Sequence, residues 1–201
     1  SNFGAHEAFH QSLFEFNNRL VTYPANKSIE DLIFIYLGHE GPTSTAMALR
    51  WSQNPFHIVN PKSGVVTSTN AMKIVMQRNL KIEQIRDAER IGLLVTYFDF
   101  PKFRQILDRL TSLIRKSGKK ETIVHFSAPD LPKLKNFPRT NPWVNIACTE
   151  ATIVDRNVDP DLYKITATPW ELELALNPNQ EWSLNFETNC LELLEGGSSF
   201  K

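Results

Sequence analysis

Trp143 to Asp155 reads WVNIACTEATIVD, and the interpretation of this stretch decides how the rest of the chain is arranged. Val144, Ile146 and Ala147 form an apolar run interrupted by Asn145, with Pro142 before it and polar residues after, which is the pattern of a short buried strand. Such a strand delivers Cys148 at its carboxyl end. In open α/β sheets ligands sit outside that edge. A thiol placed there is a metal ligand, a nucleophile, or simply a small buried hydrophobe. The sequence answers this stretch with Leu162 to Leu176, LYKITATPWELELAL.

Working outward, 201 residues with 41% hydrophobic content can bury a sizeable core and lie between one large domain and two small ones. Twenty-two Lys and Arg balance 22 Asp and Glu, so no overall field exists to hold nucleic acid or an anionic membrane. No apolar run approaches the roughly 20 residues needed to span a bilayer, and the start lacks the basic-then-apolar order of a signal peptide. A cytoplasmic protein is expected. The two cysteines, Cys148 and Cys190, argue against a disulfide framework and suit a reducing compartment. The chain opens at Ser1 directly into a helix-like pattern, which points to further sequence upstream.

His6 to Tyr23 spaces Phe9, Leu13, Phe16 and Leu20 by three and four residues, predicting an amphipathic helix that Pro24 ends. Asp31 to Leu37 (DLIFIYL) predicts a strand buried on both faces, and Pro42 to Trp51 a helix with proline in its first turn. Pro55 to Val59 predicts a strand, Pro61 to Gly64 a turn, and Asn70 to Ile91 one long helix linking two lobes. Strand and helix then alternate through RIGLLVTYF, FPKFRQILDRLTSLIRKSG, ETIVHFSA, LPKLKNF, the Cys148 strand and LYKITAT. This βαβ alternation predicts a parallel sheet. The tail from Asn177 is largely polar, and its end is expected to fray.

Other constellations compete for the chemistry. His6-Glu7-Ala8-Phe9-His10 is a literal H-E-x-x-H, which on a helix presents two imidazoles to zinc and a carboxylate to water, as in a zinc hydrolase. It lacks the glycine and third histidine of one zincin class, and Glu30 precedes a strand, so a solvated helix face explains it as well. Gly38 to Gly41 between strand and helix is an anion-binding turn or a plain tight connection. His57 and His125 fall inside strand-like runs, where core or surface packing is the expected role, and Arg115, Lys116, Lys119 and Lys120 read as a solvated helix end. One thiol does not make a zinc site, and an iron-sulfur cluster takes about three or four thiolates, so a cluster at Cys148 needs ligands from elsewhere; Cys190 is a weak second candidate.

EGPTSTAMALRW, NPFHIVNPKSG, IRDAERIGLLV, SGKKETIVHFSAPDLPKLKNFP, VNIACTEATIVD, TPWELELALNPNQEW and LELLEGG follow one another between Glu40 and Gly197. In this order they resemble the diphthamide synthase family, and within it the second, accessory subunit of the eukaryotic heterodimer. The resemblance implies α/β domains with small parallel sheets whose cysteines meet around one 4Fe-4S cluster. It implies that residues 1–89 belong to the family's second domain and residues 90–201 to its third, with a C-terminal tail, and that Cys148 is the third domain's metal ligand, the other ligands lying in a missing N-terminal domain. The implied activity is transfer of a 3-amino-3-carboxypropyl group from S-adenosylmethionine to a histidine of translation elongation factor 2, the first step of diphthamide biosynthesis. The implied role of this subunit is to support a catalytic partner and keep its cluster reduced; an interaction-only module is the alternative. Two departures stand out: Thr96 to Pro101 replaces a glycine-rich turn, and Thr149 replaces a proline after the cysteine. The expected fold is α/β, two small parallel-sheet lobes with flanking helices, the second a complete βαβ-type domain.

Overall fold

The structure, a computed structural model, describes residues 11–16, 19–97, 99 and 101–201. Its first elements correct the expected helix over His6 to Tyr23. Strands β1 (Gln11–Phe16) and β2 (Arg19–Pro24) pair antiparallel, from Gln11↔Pro24 to Phe16↔Arg19. Val21, Thr22 and Tyr23 are β-branched or aromatic and favour the extended chain. The helical spacing was coincidental, because a hairpin sets Phe16 and Leu20 on opposite faces: Phe16 is 5% exposed and Leu20 66%. Residues 6–10 lie outside the described residues.

A 3-10 turn at Ile29–Asp31 leads into β3 (Phe34–Leu37), and α1 (Pro42–Arg50) connects it to the parallel β4 (Phe56–Val59). Strand β5 (Val66–Thr69) adds antiparallel to β4, giving the order β3-β4-β5. One face of this sheet is covered: Phe34 and Tyr36 pack on Phe56, Ile58, Ala48 and Ala71. Ile35 and Leu37 on the other face are 63% and 73% exposed, which corrects the expectation of a strand buried on both sides. Alternation, hidden in sequence by an all-apolar run, decides the outcome.

Helix α2 (Ala71–Asp87) is capped by Asn70, whose side chain accepts from the Lys73 amide at 2.9 Å. It ends before Ile91, which lies in β6 (Arg90–Val95). Then follow α3 (Phe103–Lys116), β7 (Lys120–His125), α4 (Leu131–Leu134), β8 (Trp143–Ile146), α5 (Pro160–Ile165), β9 (Thr166–Ala167) and α6 (Pro169–Leu176). The four strands are parallel in the order β7-β6-β8-β9. The protein is therefore mixed α/β with two parallel-containing sheets and flanking helices, as the alternation predicts.

Packing explains several motifs. On α3, Ile106, Leu110 and Ile114 recur every four residues and are fully buried. Gly118 takes φ +73° at the end of this helix, where the Lys119 amide returns to the Ile114 carbonyl at 3.1 Å. The lysine pair then proves structural in part: Lys119 Nζ donates to the Arg86 and Ala88 carbonyls at 2.6 and 2.7 Å, closing the end of α2. Gly92 sits opposite Trp143, and a Cβ on it would overlap the indole, which is 1% exposed.

Helix α6 is wedged between α2 and α3, and its WELEL sequence carries carboxylates two residues apart, hence on opposite sides of the helix. Each meets its own arginine. Arg78 of α2 grips Glu171 in a bidentate pair at 2.6 and 2.5 Å, and Arg109 of α3 grips Glu173 through two nitrogens. Both carboxylates are buried, so neither helix can shift without uncovering a charge. The polar tail after α6 is packed against the main core through Phe186, Cys190, Leu193 and Leu194, and at its end the Lys201 carbonyl accepts from Arg109 and Asn177 at 3.3 Å. Among the described residues no helix is long and apolar enough to cross a membrane.

Candidate functional site

From β6 the chain crosses to β7 on one side and to β8 and then β9 on the other, so the strand order reverses between β6 and β8. Outside the carboxyl ends at such a switch point the two loops diverge and leave a crevice. Those ends are Thr96 and the Ala147-Cys148 step. Cys148 is exposed there, so the structure does not support reading its thiol as a buried hydrophobe.

The loop that carries Cys148 is held from below by Asn145. This residue is fully buried in β8, and its Nδ2 donates to the Ala151 and Thr152 carbonyls at 2.8 and 3.2 Å. The Thr152 hydroxyl donates back to the Asn145 carbonyl at 3.1 Å, and the Ala151 and Thr152 amides both donate to the Cys148 carbonyl at 3.0 Å. Across the switch point Thr96 Oγ1 bonds Asn145 Oδ1 at 3.0 Å, while its amide donates to the Ile146 carbonyl at 3.1 Å. A polar residue inside an apolar strand thus fixes two loops at once. The Thr96 turn, glycine-poor in this chain, takes part through a side chain.

The same loop reaches α1 and the β1–β2 hairpin. Glu150 accepts from Thr43 Oγ1 at the start of α1, 3.1 Å away, and pairs with Arg19 of β2. Asp155 lies beside Gly41, and a small cavity of about 90 Å³ next to it is lined by Asp155, Glu40, Thr45, Asn157 and Tyr163 among others. The β3–α1 turn is the plain connection: the Gly38 amide donates to the Val59 carbonyl at 2.9 Å and the Gly41 amide to Ser44 Oγ at 3.0 Å, so neither is available to an anion.

The other sequence candidates separate from this point. Cys190 is 6% exposed inside the core, and burial pushes its thiol up to about 12, with Glu187 and Cys148 adding in the same direction. A thiol that stays protonated is a poor ligand and a poor nucleophile. His57 is half-buried in β4 and His125 exposed in β7, on different sheets. His6 and His10 lie outside the described residues. Among the described residues no group of three or more His, Cys, Asp or Glu is placed to hold a metal ion. Asn145 and Thr152 were not singled out from sequence, although an asparagine interrupting an apolar strand beside the candidate cysteine was a visible signal.

Residues 10–187 match the family of diphthamide synthesis proteins. The zebrafish (Danio rerio) 2-(3-amino-3-carboxypropyl)histidine synthase subunit 2 is 33% identical over 86% of this chain and 34% of its own length. The chicken (Gallus gallus) protein of the same name is 32% identical over 86% of this chain and 36% of its own length. The chain therefore spans about a third of the length of these curated relatives. Crystal structures of Dph2 from Pyrococcus horikoshii share the fold. One superposes with TM-score 0.60 at 19% identity, over 78% of this chain and 44% of that one. The second, with a 4Fe-4S cluster, gives 0.58 at 20% identity, over 80% and 46%. With a family match across most of its length and relatives a third identical to it, this chain belongs to the diphthamide synthesis protein family.

Proposed function

We propose that this chain serves as part of the accessory subunit of diphthamide synthase, and that Cys148 is its one ligand to a 4Fe-4S cluster. The observation that carries the reading is an exposed thiol at the switch point of a parallel sheet, on a loop fixed by the buried Asn145. A soft thiolate suits iron, and an exposed one on a sheet rim can reach a centre shared with other polypeptide. One thiol fits one anchor of such a centre. The remaining thiolates, about three, must come from outside the described residues.

When bound, the cluster supplies one-electron chemistry on S-adenosylmethionine, in the transfer of a 3-amino-3-carboxypropyl group to a histidine of translation elongation factor 2. The residues described contribute orientation. Asn145 holds the Ala151 and Thr152 carbonyls, the amides of the same two residues hold the Cys148 carbonyl, and Glu150 ties that loop to Thr43 of α1 and Arg19 of β2. In this reading residues 1–89 and 90–201 belong to the family's second and third domains. The chain acts beside a catalytic subunit, in the cytoplasm, and helps to keep that subunit's centre reduced.

Anaerobic reconstitution of the full-length protein with iron and sulfide tests this. Cys148→Ala is expected to lose the visible charge-transfer absorbance and bind substoichiometric iron; undiminished absorbance would remove the ligand assignment. A second reading, an interaction-only module, draws on the uncovered apolar face of the β3-β4-β5 sheet, where Ile35, Leu37 and Val66, with Ile33 just before β3, are each more than 60% exposed. It predicts that Cys148→Ala leaves both subunit pairing and histidine modification unchanged.

A further inference from the structure

A groove of about 430 Å³ opens between α2 and α5, at the far end of the loop that begins at Cys148. Three cations reach it: Lys81 from α2, Lys164 from α5 and Arg156 from the loop between β8 and α5. Two amides, Gln77 and Gln84, and an apolar wall of Leu80, Pro160 and the Tyr163 ring complete the lining, which contains no carboxylate. In a chain whose charges balance overall, this is a local excess of positive charge.

Lys81 makes that excess demanding. It is 4% exposed, and its ammonium donates to the Lys164 carbonyl and, at 3.4 Å, to Gln84 Oε1, with the Tyr163 ring centroid 5.8 Å away. The buried carboxylate nearest to it, Glu171, is already held bidentately by Arg78. Two buried cations therefore share one buried anion. Arg156 is turned toward the groove by its bond to Gln77 Oε1 at 2.9 Å, and Lys164 is anchored at the rim by Asp161 at 2.9 Å.

We infer that this groove binds the phosphate group of a small phosphate monoester, its oxygens on Lys81, Arg156 and Lys164 and its organic part against Leu80, Pro160 and Tyr163. A dianion answers the surplus of cations better than a monocarboxylate can, and a lysine donates to phosphate oxygens without fixed direction while an arginine donates to them in a fork. Burial, and then the neighbouring Arg78, lower the Lys81 ammonium to about 8, opposed by Glu171. A bound dianion favours the charged ammonium, so binding takes up protons increasingly as the pH rises past 8. The groups facing Lys81 are Arg78 on its own helix, Glu171 from α6, and Tyr163 and Lys164 from α5. Phosphate monoesters remain dianions above about pH 7.

Calorimetric titration of the full chain with adenosine monophosphate, inorganic phosphate and acetate at pH 7.5 and 9 tests the inference. The expected result is saturable binding of both phosphates and none of acetate, weakening about eightfold between the two pH values as the protonated fraction of Lys81 falls. Lys81→Met is expected to weaken binding at least tenfold and abolish its pH dependence. Arg156→Gln and Lys164→Gln, both at exposed positions, are expected to weaken it severalfold without disturbing the fold, so the site remains testable if Lys81→Met misfolds. Cys148→Ala should bind as the parent does, which separates this site from the cluster reading. No saturable binding of either phosphate up to about 10 mM would overturn the inference. So would binding that ignores all three substitutions, binding of the nucleotide without inorganic phosphate, or marked preference for a phosphopeptide, which would mark a partner's docking point instead.

Discussion

Replacing Asn145 by alanine removes the fastening of the Cys148 loop while leaving the thiol in the chain. Three hydrogen bonds disappear: Nδ2 to the Ala151 carbonyl at 2.8 Å, Nδ2 to the Thr152 carbonyl at 3.2 Å, and Thr96 Oγ1 to Oδ1 at 3.0 Å. At about 1 kcal/mol each the sum is about 3 kcal/mol. Two considerations reduce it. Ala151 is exposed, so its carbonyl can return to water, and Thr96 keeps a second acceptor in the Ile146 carbonyl at 3.4 Å. The expected loss is therefore about 2–3 kcal/mol, with an unchanged urea m-value. Asn145→Asp keeps the shape but sets a carboxylate oxygen where Nδ2 donated, facing the Ala151 and Thr152 carbonyl oxygens, and should be at least as harmful. Thr152→Val removes one buried bond, at 3.1 Å to the Asn145 carbonyl, and should lose about 1 kcal/mol. Urea unfolding supplies the stability. Hydrogen exchange at the Ala151 and Thr152 amides supplies the local readout, because both donate to the Cys148 carbonyl. A loss under about 0.5 kcal/mol for Asn145→Ala, with those amides still protected, would refute the argument that this side chain positions the loop.

Gly92→Ala pushes a methyl into the Trp143 indole and should lower stability by about 1–3 kcal/mol or prevent folding, seen as a fall in melting temperature; a neutral outcome would mean that β6 and β8 are free to separate. Glu171→Gln leaves the buried Arg78 guanidinium without its counterion and should destabilise by about 3–5 kcal/mol in urea. Lys81 carries a pH signature whose sign is fixed by its lowered ammonium, about 8 in the fold against 10.5 for an ordinary lysine. Below pH 8 both folded and unfolded states are charged and the burial penalty is complete; from pH 8 to 10.5 the folded state holds fewer protons, so stability contributed at Lys81 rises. The stability difference between the parent and Lys81→Met should therefore move toward the parent by about 2 kcal/mol between pH 7.5 and 10, a figure reduced because the ammonium borders an open groove. No pH trend in that difference would contradict it.

How much of this was readable in the sequence varies from element to element. The alternation from Arg90 onward was legible because each strand is a short β-branched or apolar run and each helix carries its own stop, such as Ser117-Gly118 after α3. The Cys148 strand was legible for the same reason; the exposure of its thiol was not, because a cysteine that ends an apolar run fits a buried position as well. The hairpin was not, because Phe9, Leu13, Phe16 and Leu20 fit a 3.6-residue period by accident, while Asn17-Asn18 between β-formers was the better signal. Strand β5 carries a Thr-Ser-Thr stretch with little apolar content and exists through pairing with β4, a long-range fact. The uncovered face of β3 was hidden by a run in which every residue is apolar. Arg78 with Glu171 and Arg109 with Glu173 join positions 93 and 64 residues apart, and no local pattern announces which arginine will be buried. The tail misled because its sparse apolar residues, Phe186, Cys190, Leu193 and Leu194, are the ones that the core takes in.

The central claim, that the Cys148 sulfur is a cluster ligand and Cys190 is not, is tested most directly by alkylating both with iodoacetamide in the full-length protein and reading each site by mass spectrometry. Before loading with iron and sulfide, Cys148 should react rapidly and Cys190 only after denaturation; after loading, Cys148 should be protected and Cys190 unchanged. Equal modification of Cys148 in the empty and loaded protein would contradict the account.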